Sequence, residues 1–342
     1  MRALTKTLSV KQVIDIGFVD FAPGSREPTL WSALLGNRFA ITSSRHPRYV
    51  LHSCLTTLVL SEPGIRIFAS GENVRADFNI SDYALDFDWL TFGDRHYRFP
   101  LFRLYPEYES ILQNKPSAEE LLAEKSFFCS FVCSNARGAS ERRDLFEAVH
   151  RIRPVSSGGA WLNNVGYQVP DKLAFQSASK FAIAAENCSS PGYTTEKIVQ
   201  AMAAHTIPIY WGDPLVTRDF NPKAFINCHD YPSFEAVAQR VAEIDQDDAL
   251  WCEIMSEPWF RDGREPEYLK QASILDFFEH IFSQPLEKAY RRDRVGWGRI
   301  YEERMNCAFN HPVKQLVRHA GNTLRKRARN SINTLRRLIR RG

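Results

Sequence analysis

Apolar positions along the chain fall into two alternating series. In the first, from Val13 to about Pro116, short apolar runs (Val13 to Phe21, Tyr49 to Leu51, Ile65 to Ala69, Tyr83 to Phe87) alternate with helical or polar stretches such as Thr29 to Asn37. A charged, proline-containing stretch, Gln113 to Lys125, reads as a connector. The second series begins at Phe127. Phe127 to Val132, Phe181 to Ala185 and Ile207 to Trp211 read as buried strands, and helices are predicted over Ser140 to His150 and Thr194 to His205. Phe234 to Glu243 and Leu269 to Phe282 are further amphipathic helices. Strands alternating with helices predict parallel sheets, so two series predict two α/β domains with a cleft between them. The expected boundaries are 1–120 and 121–286, followed by a charged linker and tail over 287–342.

The tail changes the charge picture. From Lys314 to Gly342 there are ten Lys/Arg and no Asp or Glu, so the net +4 of the chain leaves −6 on the remainder. Leu324, Ala328, Ile332, Leu335 and Ile339 recur at three- and four-residue steps, and the arginines project elsewhere. This predicts a basic amphipathic helix, lying on anionic lipid, on nucleic acid or on the protein's own body. An acidic body and the lack of interleaved aromatics in the tail argue against nucleic acid.

With 44% apolar and 25% charged residues, the 342-residue chain is neither disordered nor collagen-like. No run approaches the roughly 20 apolar residues of a membrane span, and the N-terminus lacks a secretory pattern, so the chain is expected to stay in the compartment where it is made. Seven scattered cysteines predict reduced thiols. Cys129 and Cys133 have no second Cys/His pair at ligand spacing and read as small buried groups rather than a zinc pair.

The densest functional text runs from Phe181 through Glu186, Asn187, a Ser/Pro/Gly turn, Tyr193, Thr194, Thr195 and Glu196 to Lys197 and Ile198. A strand, a small-residue turn and a helix start offer free N–H groups to an anion. Lys197 opposes the helix dipole there and needs a reason, such as a phosphate; the alternative is an ordinary cap by Thr194 or Thr195. Ser156-Ser157-Gly158-Gly159 is either a second phosphate contact or a plain loop, and Arg142 or Arg143 could face the cleft. Glu72 sits where the Ile65 to Ala69 strand runs into Ser70-Gly71, at the kind of edge where α/β proteins keep ligands and where a carboxylate can act as a general base. Asp86-Phe87-Asp88 would place two carboxylates on one strand face, a geometry that permits chelation.

Two ordered segments together resemble the bacterial α-1,3-fucosyltransferases of glycosyltransferase family 10. The first runs from Gly71-Glu72-Asn73 to Asp88 and on through Phe92-Gly93-Asp94-Arg95-His96-Tyr97-Arg98. The second runs from Glu186-Asn187 to Lys197-Ile198 and continues through Ile207 to Pro214 and Asp219 to Lys223. The likeness covers roughly Val13 to Phe282. It implies a GT-B architecture, with two Rossmann-like domains facing across a cleft. The N-terminal one (1–120) would take the acceptor, and the C-terminal one (121–286) GDP-fucose. It implies inverting transfer of L-fucose to an N-acetylglucosamine-containing glycan in α-1,3 linkage, as in lipopolysaccharide or other surface glycan synthesis.

By the same resemblance Glu72 is the base, and Lys197 and Arg142 (or its neighbour Arg143) oppose the leaving diphosphate. Tyr193 and Glu196 match donor-site positions, with Glu196 on ribose hydroxyls or against oxocarbenium charge, and Asn187 lines the nucleotide pocket. No cofactor or metal is expected, since Asp86 falls where the family more often has glycine. The heptad array of some bacterial members and the N-terminal anchor of the animal Golgi enzymes are absent. The expectation is therefore a bacterial cytoplasmic enzyme, peripheral on the inner membrane face through its tail. A transferase using another GDP-sugar, and a glycan- or lipid-binding scaffold without turnover, remain open as alternatives.

Overall fold

A computed structural model describes residues 10–293 and 295–310. The amphipathic stripe from Leu324 to Ile339 lies outside the described residues. The N-terminal sheet is built from β1 (Val13–Val19), β2 (Ala40–Thr42), β3 (Tyr49–His52), β4 (Ile65–Ala69), β5 (Tyr83–Asp86) and β6 (His96–Arg98). Its order is β2-β1-β3-β4-β5-β6, and every pairing is parallel. Helix α1 (Glu27–Gly36) follows β1, with Pro28 in its first turn, where a missing N–H costs nothing.

Short helices α2 (Glu107–Ile111) and α3 (Ala118–Ala123) lead to the second sheet. The stretch expected to be a connector therefore contains α3, held by a reciprocal cap between Ser117 and Glu120. The second sheet comprises β7 (Phe127–Phe131), β8 (Val155–Ser157), β9 (Ser179–Ala185), β10 (Ile207–Trp211) and β11 (Ile226–Asn227). It is also all parallel, in the order β11-β10-β9-β7-β8. Its helices are α4 (Glu141–Ile152), α5 (Lys172–Ser177), α6 (Glu196–Ala203), α7 (Phe234–Gln246) and α8 (Asp248–Ser256), followed by α9 (Gln271–Ser283), α10 (Leu286–Ala289) and α11 (Gly296–Asn310). Strand order reverses between β1 and β3 in one sheet and between β7 and β9 in the other, and these crevices are where such sheets bind ligands.

The two cores do not divide at the boundaries read from sequence. Phe102, Tyr108, Ile111 and Ala118 belong to the core of the second sheet. Conversely Ile274, Leu275, Phe278, Ile281, Phe282 and Ala289, on α9 and α10, pack with Trp31, Phe39, Tyr49 and Leu85 under the first. The chain thus crosses over near residue 100 and returns near residue 270. The amphipathic pattern of α9 showed that one face is buried, but not against which sheet. The expected charged linker is also docked in part. Arg292 is buried, pairs with Asp82 at 3.2 Å and donates to the carbonyl of Gly64 at 3.0 Å, while Glu302 of α11 meets Arg66 at 2.7 Å.

Candidate active site

Loops at the carboxyl ends of β4 and β5 meet the loop that follows β9. Tyr193 donates its hydroxyl to the Gly71 carbonyl at 3.3 Å, Arg75 donates to the Pro191 carbonyl at 3.2 Å, and Asn73 lies 3.1 Å from the Cys188 sulfur. Gly192 (φ 84°) permits this approach, because a Cβ there would lie 2.5 Å from the Phe87 carbonyl. Below this seam Arg98 of β6 pairs with buried Asp219 at 2.5 Å and stacks on Trp89 with 3.8 Å to the ring centroid.

Glu72 stands on the N-terminal side of the seam. Its N–H is taken by Ser70 Oγ at 3.1 Å, and its side chain is exposed, with no hydrogen bond among the described residues. A carboxylate held on a fixed backbone but open to the cleft can accept a proton from an incoming hydroxyl.

On the other side, β9 ends at Ala185 and delivers Glu186 and Asn187. Glu186 is fully buried and accepts from the N–H and hydroxyl of Thr195 at 2.7 and 2.6 Å. Lys197 lies 3.0 Å from Glu186 and 3.2 Å from Glu196. Burial works against its ammonium, but the two carboxylates outweigh burial and hold its pKa above the ordinary value. Glu196, also opposed by burial, is held below the usual carboxylate range by Lys197 and Lys172. Glu186 therefore gives a first reason for a lysine against the helix dipole. Thr195 is the N-cap residue by backbone geometry, but its hydroxyl serves Glu186 rather than the helix. The turn itself is fixed by buried Asp213, which accepts from Gly192 N–H at 2.7 Å and Thr194 Oγ1 at 3.0 Å.

Arg142 and Arg143 separate sharply. Arg143 is exposed and lies 3.9 Å from Glu147. Arg142 is fully buried and points at the β7/β9 crevice, donating to Asn187 Oδ1 at 3.1 Å and the Asn135 carbonyl at 2.6 Å, with Cys133 Sγ 3.1 Å away. Its head is roofed by the 135–138 loop, since a Cβ on Gly138 would lie 2.3 Å from Nη2. The structure thus selects Arg142 as the inward arginine but does not leave it open to the cleft; a diphosphate reaches it only if that loop shifts.

Gly159 is a packing glycine, because a Cβ there would lie 2.1 Å from the Cys133 carbonyl. The Asp86 carboxylate is buried and already satisfied, by His96 at 2.9 Å, Asp88 N–H at 2.8 Å and Ala76 N–H at 3.1 Å, and Asp88 pairs with Arg75. Cys129 is buried without a disulfide. Sequence reasoning gave no role to Glu186, Asp213 or Lys172. The visible signal was an acid next to an apolar strand end, at Ala185-Glu186 and again two residues after Trp211.

Two parallel sheets whose carboxyl-end loops close on one another, one presenting a strand-end carboxylate and the other a cationic strand-turn-helix, define a protein of the GT-B class. Residues 16–105 match the family description "Alpha-(1,3)-fucosyltransferase FucT N-terminal domain", and residues 122–263 match "Glycosyltransferase family 10 (fucosyltransferase) C-term". The alpha-(1,3)-fucosyltransferase FucT of Helicobacter pylori is 35% identical over 253 residues, covering 63% of this chain and 52% of that protein. The alpha-(1,3)-fucosyltransferase B of Drosophila melanogaster is 28% identical over 137 residues, covering 35% of this chain and 30% of its own length. The match therefore spans about half or less of these curated relatives. A crystal structure of an alpha1,3-fucosyltransferase with GDP-fucose is 30% identical with a TM-score of 0.70, covering 85% of this chain and 96% of that one. The same enzyme class with GDP gives 28% and 0.71, over 86% and 96%. The chain belongs to glycosyltransferase family 10.

Proposed function

We propose that this protein is an inverting fucosyltransferase that moves L-fucose from GDP-fucose to a hydroxyl of an N-acetylglucosamine-containing glycan in α-1,3 linkage. The observation that carries the reading is the Tyr193 to Gly71 hydrogen bond. It brings the family's donor-site turn against the residue next to Glu72. In the proposed step the acceptor oxygen attacks the anomeric carbon of fucose from the face opposite the diphosphate, and its proton passes to the Glu72 carboxylate. The bond from that carbon to the diphosphate oxygen breaks, and GDP leaves with the electron pair. Attack from the opposite face converts the β-linked donor into an α-linked product. Lys197, kept charged by Glu186 and Glu196, opposes the charge gathering on GDP, and such preorganised charge stabilises the transition state most effectively when desolvated. Glu196 and Tyr193 lie at the donor side, and Asn187 supports Arg142 from below. Incubating the protein with GDP-fucose and N-acetyllactosamine, with mass-spectrometric detection of product, tests the reading. No fucosylated product across a panel of related acceptors, alongside transfer from another GDP-sugar, would replace the donor.

The membrane role of the tail belongs to the same proposal, with surface glycolipid as acceptor and the inner membrane face as location. Among the described residues no helix is long and apolar enough to cross a membrane. Exposed Val295 and Trp297 at the start of α11 add apolar surface shortly before the cationic segment. Full-length protein should sediment with anionic vesicles and less so as salt rises, while a form ending after Pro312 should not. Equal sedimentation of both forms overturns it.

A further inference from the structure

A partly open cavity of about 250 Å³ lies between the start of α1 and the face of α6, and its wall residue Glu27 connects it to the Gly71-Glu72 turn. Glu27, in the first turn of α1, reaches its wall, with Gln200 of α6 opposite and Tyr105 and Glu107 from the crossover between domains. Glu27 is half-buried, and its Oε1 lies 3.4 Å from where a Cβ on Gly71 would stand, so it is a near neighbour of the Glu72 backbone. Burial and the charges of Glu72 and Glu196 push its carboxyl above the ordinary range. Lys172 donates to Gln200 Oε1 at 2.6 Å, and Gln200 donates to Glu107 Oε1 at 3.1 Å. This relay fixes Glu107 while leaving its Oε2 buried with no hydrogen-bond partner. That oxygen is sealed from the cavity as well as from water, so Glu107 bears on a ligand through its charge and through the relay that fixes Gln200. The Tyr105 phenol, pushed up to about 12 by burial and the nearby Glu196 and Glu27 charges, stays a donor as well as an acceptor.

We propose that this cavity is an acceptor-side subsite, in which Glu27 takes hydrogen bonds from the hydroxyls of a neutral sugar held near Glu72, with Tyr105 and Gln200 as the other polar walls. The inference rests on the fucosyl-transfer reading. Leu30 and Pro106 supply apolar wall for the ring, while Glu27, Tyr105 and Gln200 supply polar contacts, the mixture a saccharide presents. Among the described residues four carboxylates, Glu27, Glu72, Glu107 and Glu196, stand around the cavity against the cations Arg26, Lys172 and Lys197, a balance that disfavours a carboxylate-bearing sugar. Glu27 is thus a specificity residue, and the reacting hydroxyl still gives its proton to Glu72.

Steady-state transfer to a neutral disaccharide acceptor and to its carboxylate-bearing counterpart, in Glu27→Ala, Glu27→Gln and wild type, tests this. Glu27→Ala should raise KM for the neutral acceptor about tenfold, as loss of a charged hydrogen bond does, with GDP affinity by calorimetry unchanged. Glu27→Gln keeps the shape and should narrow the preference for the neutral over the charged acceptor by several-fold. A neutral-acceptor KM within twofold of wild type in Glu27→Ala overturns the proposal, as does a parallel fall in GDP affinity. If Glu27→Ala does not fold, an unchanged preference in Glu27→Gln overturns it. Wild type transferring fucose while these variants behave normally sinks the subsite alone; wild type transferring no fucose to any acceptor sinks both readings.

Discussion

The ammonium of Lys197 rests 3.0 Å from the carboxylate of Glu186, a side chain with no solvent exposure. Two separate losses should therefore follow from one substitution. Lys197→Ala removes a cation from the proposed donor site and also strands a buried carboxylate, which typically costs about 3–5 kcal/mol of stability. Adding Glu186→Gln should recover most of that stability but none of the GDP affinity. Thermal unfolding and calorimetric titration with GDP separate the two effects, and unchanged GDP affinity in Lys197→Ala would remove Lys197 from the donor site.

Glu72→Gln should leave GDP affinity near wild type and lower kcat about a hundredfold or more, the usual cost of losing a general base. Glu72 makes no hydrogen bond among the described residues, so its removal should cost little stability. Near-normal turnover in this variant would transfer the role of base elsewhere.

The fold should be sensitive to mild acid through His52. This side chain is buried on β3, with Nδ1 2.9 Å from the Ser53 carbonyl and Nε2 2.9 Å from Ser81 Oγ. Burial lowers its pKa from 6.5 to about 4, so between those values the unfolded chain takes up a proton that the folded one refuses. Stability contributed by neutral His52 is then present above about pH 6.5 and falls as pH drops toward 4, by roughly 3 kcal/mol. Urea unfolding at pH 7, 5.5 and 4.5 should show this slope in wild type and a flatter one in His52→Gln.

Thermal stability and turnover should both survive chelation. Both oxygens of Asp86 already accept hydrogen bonds, and Asp88 is paired with Arg75, so neither is free to bind a cation without breaking these contacts. Asp86→Asn should lower the melting temperature by several degrees, because it weakens a buried pair with His96. Abolition of turnover by EDTA, restored by one divalent ion and lost in Asp86→Asn, would reverse this account.

Most long elements were legible because their apolar spacing is regular: Ile65 to Ala69 and Ile207 to Trp211 form the strands β4 and β10 at those limits. β2, β6 and β8 were not, since three residues carry too little periodicity to distinguish strand from loop. α3 carried its signal in Ser117 and Glu120, which read only as polar connector text. At the site, Glu72 and Lys197 were marked by their places at a strand end and a helix start, whereas Tyr193 was marked only by its match to the family's donor-site run. The burial of Arg142 under the 135–138 loop was not, because no local pattern shows what roofs a side chain. Glu186 was hidden for the related reason that a buried acid and a surface acid are the same letter.

The return of α9 to the first sheet constrains how the chain can be made. The N-terminal sheet exposes the pocket for Phe278 and Phe282 until about 185 further residues beyond Leu104 have left the ribosome to reach Ala289, an interval of roughly ten to forty seconds at ordinary elongation rates. Trp31, Phe39 and Tyr49 stay without their aromatic partners Phe278 and Phe282 for that time. The second sheet, whose core ends at Leu269, is able to close first. Nascent chains stalled before residue 270 should accordingly be bound by chaperones through their earliest-synthesised half.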